Sequence, residues 1–293
     1  MHDVAPHAEF TVTEIDVPCG SRVRSAVVCA PVAAAPSAGW PLVLAFHGGR
    51  SHPDGMRRFS GLDVLAAAGR AVVAYPAGTG SRPGLLTWNG GNCCGEARDD
   101  GSDDVGFAAA VVDAVAARIA IDRRRVHATG MSNGAMMAYR FAAERADLVA
   151  SVAAVAGPLA LDAIAPSRPV PVLAFHGTLD QFTPLEGGIG RRSVTRVSHR
   201  PILAGLLDWV HANGCPATYR REPVPCSDDG IMVERFAWGP GRTGSEVVFY
   251  RLDGGGHTWP GRTPDSFYLG PSALSLDANE IIWDFFARHP LPA

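Results

Sequence analysis

The sequence predicts an α/β fold: an open, mainly parallel central sheet with helices on both faces. Three observations predict it. Short continuous apolar runs, such as residues 41–46 (PLVLAF) and 71–75 (AVVAY), are of the kind found in strands buried on both faces. Segments of helical pattern alternate with them, as crossover connections between parallel strands require. The chain has 293 residues, 47% of them hydrophobic, so it is long and apolar enough to bury roughly three quarters of its extended surface without a metal or disulfide scaffold.

In order, residues 11–17 (TVTEIDV) and 22–29 (RVRSAVVC) read as two strands around a turn at Gly20, being β-branched and roughly alternating. Residues 32–39 form an Ala/Pro/Ser/Gly loop, followed by the strand 41–46, a helical stretch over 55–68 and the strand 71–75. Residues 76–101 are Gly-rich and irregular, and loops of that length in compact proteins usually carry function. A helix runs from 103 to about 119, with Asp103 and Asp104 at its start as N-capping carboxylates. A strand over 125–129, a helix over 132–144, and strands over 149–155 and 170–175 follow. A helix spans 201–213 with Gly214 as its stop, strands span 233–238 and 246–252, and a last helix spans 276–288 with Ser275 as N-cap. No repeat or dividing linker is visible. A single domain over 1–293 is expected, with residues 185–244 as a small excursion.

Composition excludes several classes. A net charge of -3 argues against nucleic acid as the main partner. No apolar run reaches the ~18–20 residues of a membrane span. All 26 basic residues are Arg, so chemistry that needs a lysine (a Schiff base, a Ser–Lys pair, a P-loop) is out. The six cysteines contain no C-x-x-C, which removes zinc-ribbon and thioredoxin-type motifs. The first nine residues lack the basic and apolar regions of a signal peptide.

The chemistry centres on Gly130-Met131-Ser132-Asn133-Gly134, a G-x-S-x-G between a strand and a helix. The flanking glycines permit a tight turn that holds the Ser132 hydroxyl clear of the backbone. The helix behind it favours developing negative charge. A serine nucleophile needs a base, and the base an orienting carboxylate, in the chain order serine, acid, histidine. Of the downstream histidines, His257 in the loop GGGHTWP after an apolar strand is the candidate base. His211 falls within a helix, His289 after the last one, and His199 in an Arg-rich loop, while His176 is placed to brace the acid loop. Asp180, at the end of FHGTLD, is the candidate acid; Asp162 is its rival, and Asp253 lies too near His257 in sequence. Oxyanion donors are expected from the backbone N–H of Asn133 and of Gly49, with Gly48 beside it. His47 is read as a loop brace; with His52 it lacks further ligands nearby, and no metal or cofactor is expected.

The blocks HGG, W-N-x-G-x-C-C-G, D-D-V-G-F, G-M-S-N-G-A-M-M-A, H-G-T-x-D, N-G-C and G-G-G-H-T-W-P-G occur in one order along most of the chain. In this the sequence resembles the polyhydroxybutyrate depolymerase and feruloyl esterase group of secreted α/β-hydrolases. The resemblance implies the α/β-hydrolase fold and a secreted, metal-independent carboxylic-ester hydrolase, with Ser132 as nucleophile, Asp180 as acid and His257 as base. Related sequences often carry a cysteine before the GGGHTWPG block. Residues 238–244 (WGPGRTG) have none; Cys226 is a candidate for that place and for pairing with Cys215, and the resemblance leaves that bridge open. A vicinal bridge between Cys93 and Cys94 is geometrically awkward, so one of them is expected to pair elsewhere, or both to be reduced and buried. Cys19 and Cys29 complete the set.

Trp88 and Trp259 are candidate substrate-site walls, with packing beneath their loops an equal reading. Trp40, Trp209, Trp238 and Trp283 read as core or rim. The run Arg191, Arg192, Arg196 and Arg200 reads as a solvated face. The expected substrates are feruloyl, acetylxylan, polyhydroxyalkanoate or other polyester linkages. The chain length, with no room for a polymer-binding module, tilts this toward soluble or oligomeric esters. A serine peptidase of the same fold and a non-catalytic binding protein on this scaffold are the competing classes.

Overall fold

The structure, a computed structural model, describes residues 9–20, 22–225 and 230–292. Among the described residues, ten strands form one sheet: β1 (Phe10–Cys19), β2 (Arg22–Pro31), β3 (Trp40–Phe46), β4 (Val72–Pro76), β5 (Ile121–Met131), β6 (Ser151–Val155), β7 (Val172–Gly177), β8 (Arg220–Val224), β9 (Met232–Trp238) and β10 (Val247–Asp253). Their spatial order is β1-β2-β4-β3-β5-β6-β7-β10-β9-β8. From β4 through β10 the neighbours run parallel, while the β1–β2 hairpin at one edge and β9–β8 at the other are antiparallel. The helices are α1 (Pro53–Ser60), α2 (Asp63–Ala67), α3 (Gly95–Asp99), α4 (Asp104–Ala116), α5 (Asn133–Glu144), α6 (Ile202–Ala212) and α7 (Ala278–Arg288).

The central strands β3, β4, β6 and β7 are buried at every residue, because both sheet faces are covered. Alternate residues of each strand feed two separate cores. Leu42, Leu44 and Phe46 of β3 pack with Phe107 and Val111 of α4, Phe141 of α5 and Trp209 of α6. Val43 and Ala45 pack on the other face with Met56 of α1, Leu65 of α2 and Ile282 and Phe286 of α7. This is the α/β-hydrolase arrangement.

Four local expectations change. The helical stretch 55–68 is two helices, because Gly61 takes φ 63° and closes α1 with its N–H on the Arg57 carbonyl. The cap of α7 is Asp277, whose carboxylate accepts from the N–H groups of Asn279 and Glu280, rather than Ser275. Strand β8 (RREPV) is invisible to hydrophobic patterning because it is an exposed edge strand. It pairs with β9 through Arg221–Glu234 and Arg235–Glu222. Asp103 caps α4 by accepting from Gly106 N–H at 2.8 Å, but Asp104 does not cap. Its buried carboxylate takes Arg24 Nη1 at 2.7 Å and the Asn89 N–H at 2.8 Å, and so ties β2 and the long loop to the start of α4.

The cysteines also differ from expectation. Cys93 and Cys94 are bonded to each other and are walled in by Met136 and Ala160. Neither finds a distant partner because the turn carrying them lies directly on α5. Cys215 is a free thiol donating to the Ser245 carbonyl at 3.8 Å, as are Cys19 and Cys29; Cys226 lies outside the described residues. No helix of the described residues is long and apolar enough to cross a membrane.

Candidate active site

The parallel strands all end on one side of the sheet, and the segments that leave them there carry the candidate residues. Strand β3 runs into His47-Gly48-Gly49, β5 into Ser132, β7 into the turn bearing Asp180, and β10 into the loop bearing His257. Clefts at the carboxyl ends of parallel strands are the usual binding place in open α/β sheets. Here a cavity of about 500 Å³ opens among Gly48, Gly49, Ser132, Asn133 and His257.

Ser132 sits between β5 and α5 with φ 57° and ψ -119°, a conformation that L-residues rarely adopt. The turn is tight because Gly134 passes over β3: a Cβ there would run into the Phe46 and His47 carbonyls. Strain of this kind, of order 1–3 kcal/mol, persists where the surroundings enforce it, and it clusters at functional positions.

His257 is 6% exposed, and its Nδ1 lies 2.7 Å from Asp180 Oδ2. The Asp180 carboxylate also accepts from Phe182 N–H at 2.8 Å, Thr183 N–H at 2.9 Å and Thr183 Oγ1 at 3.0 Å. Burial opposes its charge, but the neighbouring His257 and these donors outweigh it and lower its pKa to about 2. Asp180 is therefore a carboxylate at any neutral or mildly acidic pH. It accepts a hydrogen bond from the Nδ1–H of His257, leaving Nε2 as that ring's acceptor. A carboxyl pKa lower in the folded than in the unfolded chain gives stability that is full above about pH 4. We expect thermal unfolding midpoints to fall between pH 4 and pH 2, with Asp180→Asn showing a shallower fall over that window.

His176, buried on β7, places Nε2 2.7 Å from the Thr183 carbonyl and 3.5 Å from Asp180 Oδ2. Burial lowers its pKa and holds it neutral, so it braces the turn as a donor. His47 plays the matching part beside β3. Its Nε2 accepts from Gly78 N–H at 3.0 Å, so the ring proton is on Nδ1, which donates to the Gly48 carbonyl at 2.8 Å. Burial lowers its pKa to about 4 and keeps it neutral. Because a trans peptide points its C=O and N–H in opposite directions, fixing the Gly48 oxygen aims the Gly49 N–H away from His47. Asn133 is the first residue of α5, so its N–H has no partner in the helical ladder.

The Asn133 side chain has a separate task. Its Oδ1 accepts from Trp88 N–H at 2.7 Å and its Nδ2 donates to the Trp88 carbonyl at 2.9 Å. The long loop is thereby clamped to the Ser132 turn. Asn133→Ala leaves the Trp88 N–H buried and unpaired, while the Trp88 carbonyl keeps the N–H groups of Gly90 and Cys94. We expect it to lower stability by roughly 1–3 kcal/mol, read from urea unfolding.

Two sequence expectations for the site fail. Trp88 is fully buried, donating its indole N–H to the His47 carbonyl at 3.0 Å, and Trp259 is 1% exposed, donating to Asn279 Oδ1 at 2.9 Å. Neither lines the cavity; both knit loops to the scaffold beneath it. Asp162 is exposed on its loop, and Asp253 pairs with Arg251 at 2.8 Å, so neither meets His257. Sequence reasoning missed Phe182, whose ring packs 4.8 Å from that of His257. It also missed Met136 and the joined Cys93 and Cys94, and His199, all of which line the cavity. Met136 was signalled by its place one helical turn after Ser132; His199 carried no signal, because long-range folding alone brings its loop to the cleft. Among the described residues no cluster of His, Cys, Asp and Glu could hold a metal ion.

No family model matches the chain. It is 32% identical over 269 residues to "Putative esterase NocK" of Nocardia uniformis subsp. tsuyamanensis, a match covering 88% of this chain and 77% of that protein. It is 26% identical to the bifunctional acetylxylan esterase/xylanase XynS20E of Neocallimastix patriciarum, over 90% of this chain and 33% of that protein. It is 29% identical to feruloyl esterase B of Piromyces equi, over 64% of this chain and 34% of that protein. The chain thus spans only about a third of the length of these last two relatives. Among solved structures, the acetyl xylan esterase from Aspergillus awamori superposes with a TM-score of 0.63 at 16% identity, covering 94% of this chain and 99% of that one. Native sOPH superposes with a TM-score of 0.57 at 17% identity over 99% of this chain and 90% of that one. These two share the fold. By its similarity to NocK over most of both chains, the protein belongs to the esterase family of α/β-hydrolases and is a carboxylic-ester hydrolase.

Proposed function

We propose that this esterase works through Ser132, His257 and Asp180 by an acyl-enzyme mechanism. The observation that carries the reading is the buried 2.7 Å bond from His257 Nδ1 to Asp180, beside a cavity that Ser132 enters on a strained turn. Ser132 Oγ attacks the ester carbonyl while His257 Nε2 takes its proton. The N–H groups of Asn133 and Gly49 hold the oxyanion. The imidazolium, stabilised by Asp180, gives the proton to the departing alcohol. A water deprotonated by His257 then releases the acid and restores Ser132.

As substrates we propose feruloyl- or acetyl-type esters, supported by the activities that name the relatives above. One described unit spanning the sheet and its loops carries out the reaction, outside the cell, where such esters are found. A second reading, a polyhydroxyalkanoate or other polyester depolymerase, is favoured by one observation. Val194 on the cavity rim and Phe267 and Tyr268, next to the cavity-lining Leu269, are exposed apolar side chains suited to a polymer surface. The test is a panel of p-nitrophenyl esters, methyl ferulate, acetylated xylan and polyhydroxybutyrate film. Turnover of ferulate or acetylxylan without release from film supports the first reading. Soluble products from film support the second.

A further inference from the structure

One wall of the cavity is made by side chains with no part in the acyl transfer described above: Cys93, Cys94, Met136, Thr195 and His199. Met136 stands one turn along α5 from Ser132, and Cys93 and Cys94 pack on it. The segment carrying Thr195 and His199 closes onto them, with Thr195 Oγ1 4.0 Å from Cys93 Sγ and the Ser198 carbonyl within reach of Asn92 Nδ2 at 3.5 Å. The backbone of His199 is held from both sides by Gly188, through bonds of 3.0 and 2.8 Å.

His199 is the polar group of this wall that lacks a partner. It is 7% exposed, and its Nδ1 is buried with no hydrogen bond. A proton on Nδ1 would be a buried donor without an acceptor, which costs about 1–3 kcal/mol. The proton therefore belongs on Nε2, the edge of the ring left to the cavity. Burial lowers the pKa of this histidine, against the pull of Asp180, so the ring is neutral at pH 7. The wall is largely apolar and sulfur-rich: the Thr195 hydroxyl sits against Cys93 and Ser193, and the His199 N–H is a donor without a protein partner.

We propose that this wall is an acyl subsite in which His199 Nε2–H donates a hydrogen bond to a hydroxyl or ether oxygen carried by the acyl group. The inference rests on Ser132 as nucleophile. The acyl group becomes bonded to Ser132 in the first half-reaction and is released from it in the second, and the helix that begins behind Ser132 supplies Met136 to the wall. The ligand chemistry is an apolar acyl chain or ring with one oxygen substituent, which 3-hydroxyalkanoyl and hydroxycinnamoyl groups share. His199 is here a specificity-determining residue and takes no part in proton transfer.

The test compares two ester pairs that differ by one hydroxyl: p-nitrophenyl 3-hydroxybutyrate with p-nitrophenyl butyrate, and methyl 4-hydroxycinnamate with methyl cinnamate. In at least one pair the protein should favour the hydroxylated member in kcat/KM by roughly tenfold, the effect of one well-placed hydrogen bond. His199→Leu should bring that ratio close to one, and His199→Gln, whose amide can donate from the same region, should recover most of it. The responding pair tells which acyl class the subsite takes. A ratio that stays the same in His199→Leu, or the absence of any preference in the unaltered protein, overturns the proposal. Fluorophosphonate labelling of Ser132 is run alongside. If the unaltered protein neither labels nor turns over, the nucleophile reading has failed instead. The affinities of 4-hydroxycinnamate and cinnamate, measured by calorimetry on the unaltered protein and on His199→Leu, then decide the subsite by the same ratio.

Discussion

Ser132→Ala is expected to lower kcat by roughly 10⁴- to 10⁶-fold while the protein keeps its fold and its melting temperature to within a few degrees. The alanine removes the attacking oxygen but retains a Cβ at the same φ of 57°, so the turn that Gly134 and β3 impose is preserved. Residual rate would come from the N–H groups of Asn133 and Gly49 acting on bound ester. Asp180→Asn should cost about 10⁴-fold by permitting the wrong tautomer of His257. The two losses should not add, since both residues serve one step. Steady-state kinetics on a p-nitrophenyl ester, with circular dichroism as the fold control, checks this. Turnover by Ser132→Ala near that of the unaltered protein would remove Ser132 from the mechanism.

Asp104→Ala is expected to destabilise the protein by about 3–5 kcal/mol, among the largest single-site effects available away from the cleft. The Asp104 side chain is fully buried and that of Arg24 is 12% exposed. Burial outweighs their mutual attraction at both ends, raising the carboxyl pKa and lowering that of the guanidinium. A pair desolvated to that degree is a liability once broken: Arg24 would be left against the Phe107 ring at 3.6 Å with the Ala77 carbonyl as its remaining oxygen partner. Replacing both members, by Arg24→Met with Asp104→Leu, should recover most of the loss, because the charge that needs a partner is then gone. Urea unfolding of the single and double variants reads the difference. Equal destabilisation in both would show that Asp104 acts chiefly through the Asn89 N–H, not through Arg24.

The α/β architecture was legible because its strands are short, wholly apolar and regularly interrupted. Such a pattern suits strands covered on both faces and little else. Ser132 was legible for a local reason: a G-x-S-x-G between strand and helix needs both glycines where Phe46 and His47 of a neighbouring segment pass. Chain order and loop position then pointed to His257 and Asp180, with Asp162 as the rival acid, and the structure brings Asp180 and His257 into contact.

What patterning missed was decided by long-range contacts. Whether Trp88 would face substrate or lie beneath the loop depended on the Asn133 clamp, made across 45 positions of sequence, which draws Trp88 under the His47 carbonyl. Asp104 stood where a cap is expected, yet its partner is Arg24 on a strand 80 positions earlier. His199 sat in a run of arginines that reads as solvent-facing. The bridge to Gly188 and the packing of its segment on Cys93 turn it inward. By itself, the amino-acid sequence determined the fold class and the order in which the candidate nucleophile, acid and base appear, because turn geometry and hydrophobic burial act over a few residues. The lining of the cavity, and which polar groups in it are left unpaired, belong to the tertiary structure alone, because they depend on which distant segments meet at the ends of the parallel strands.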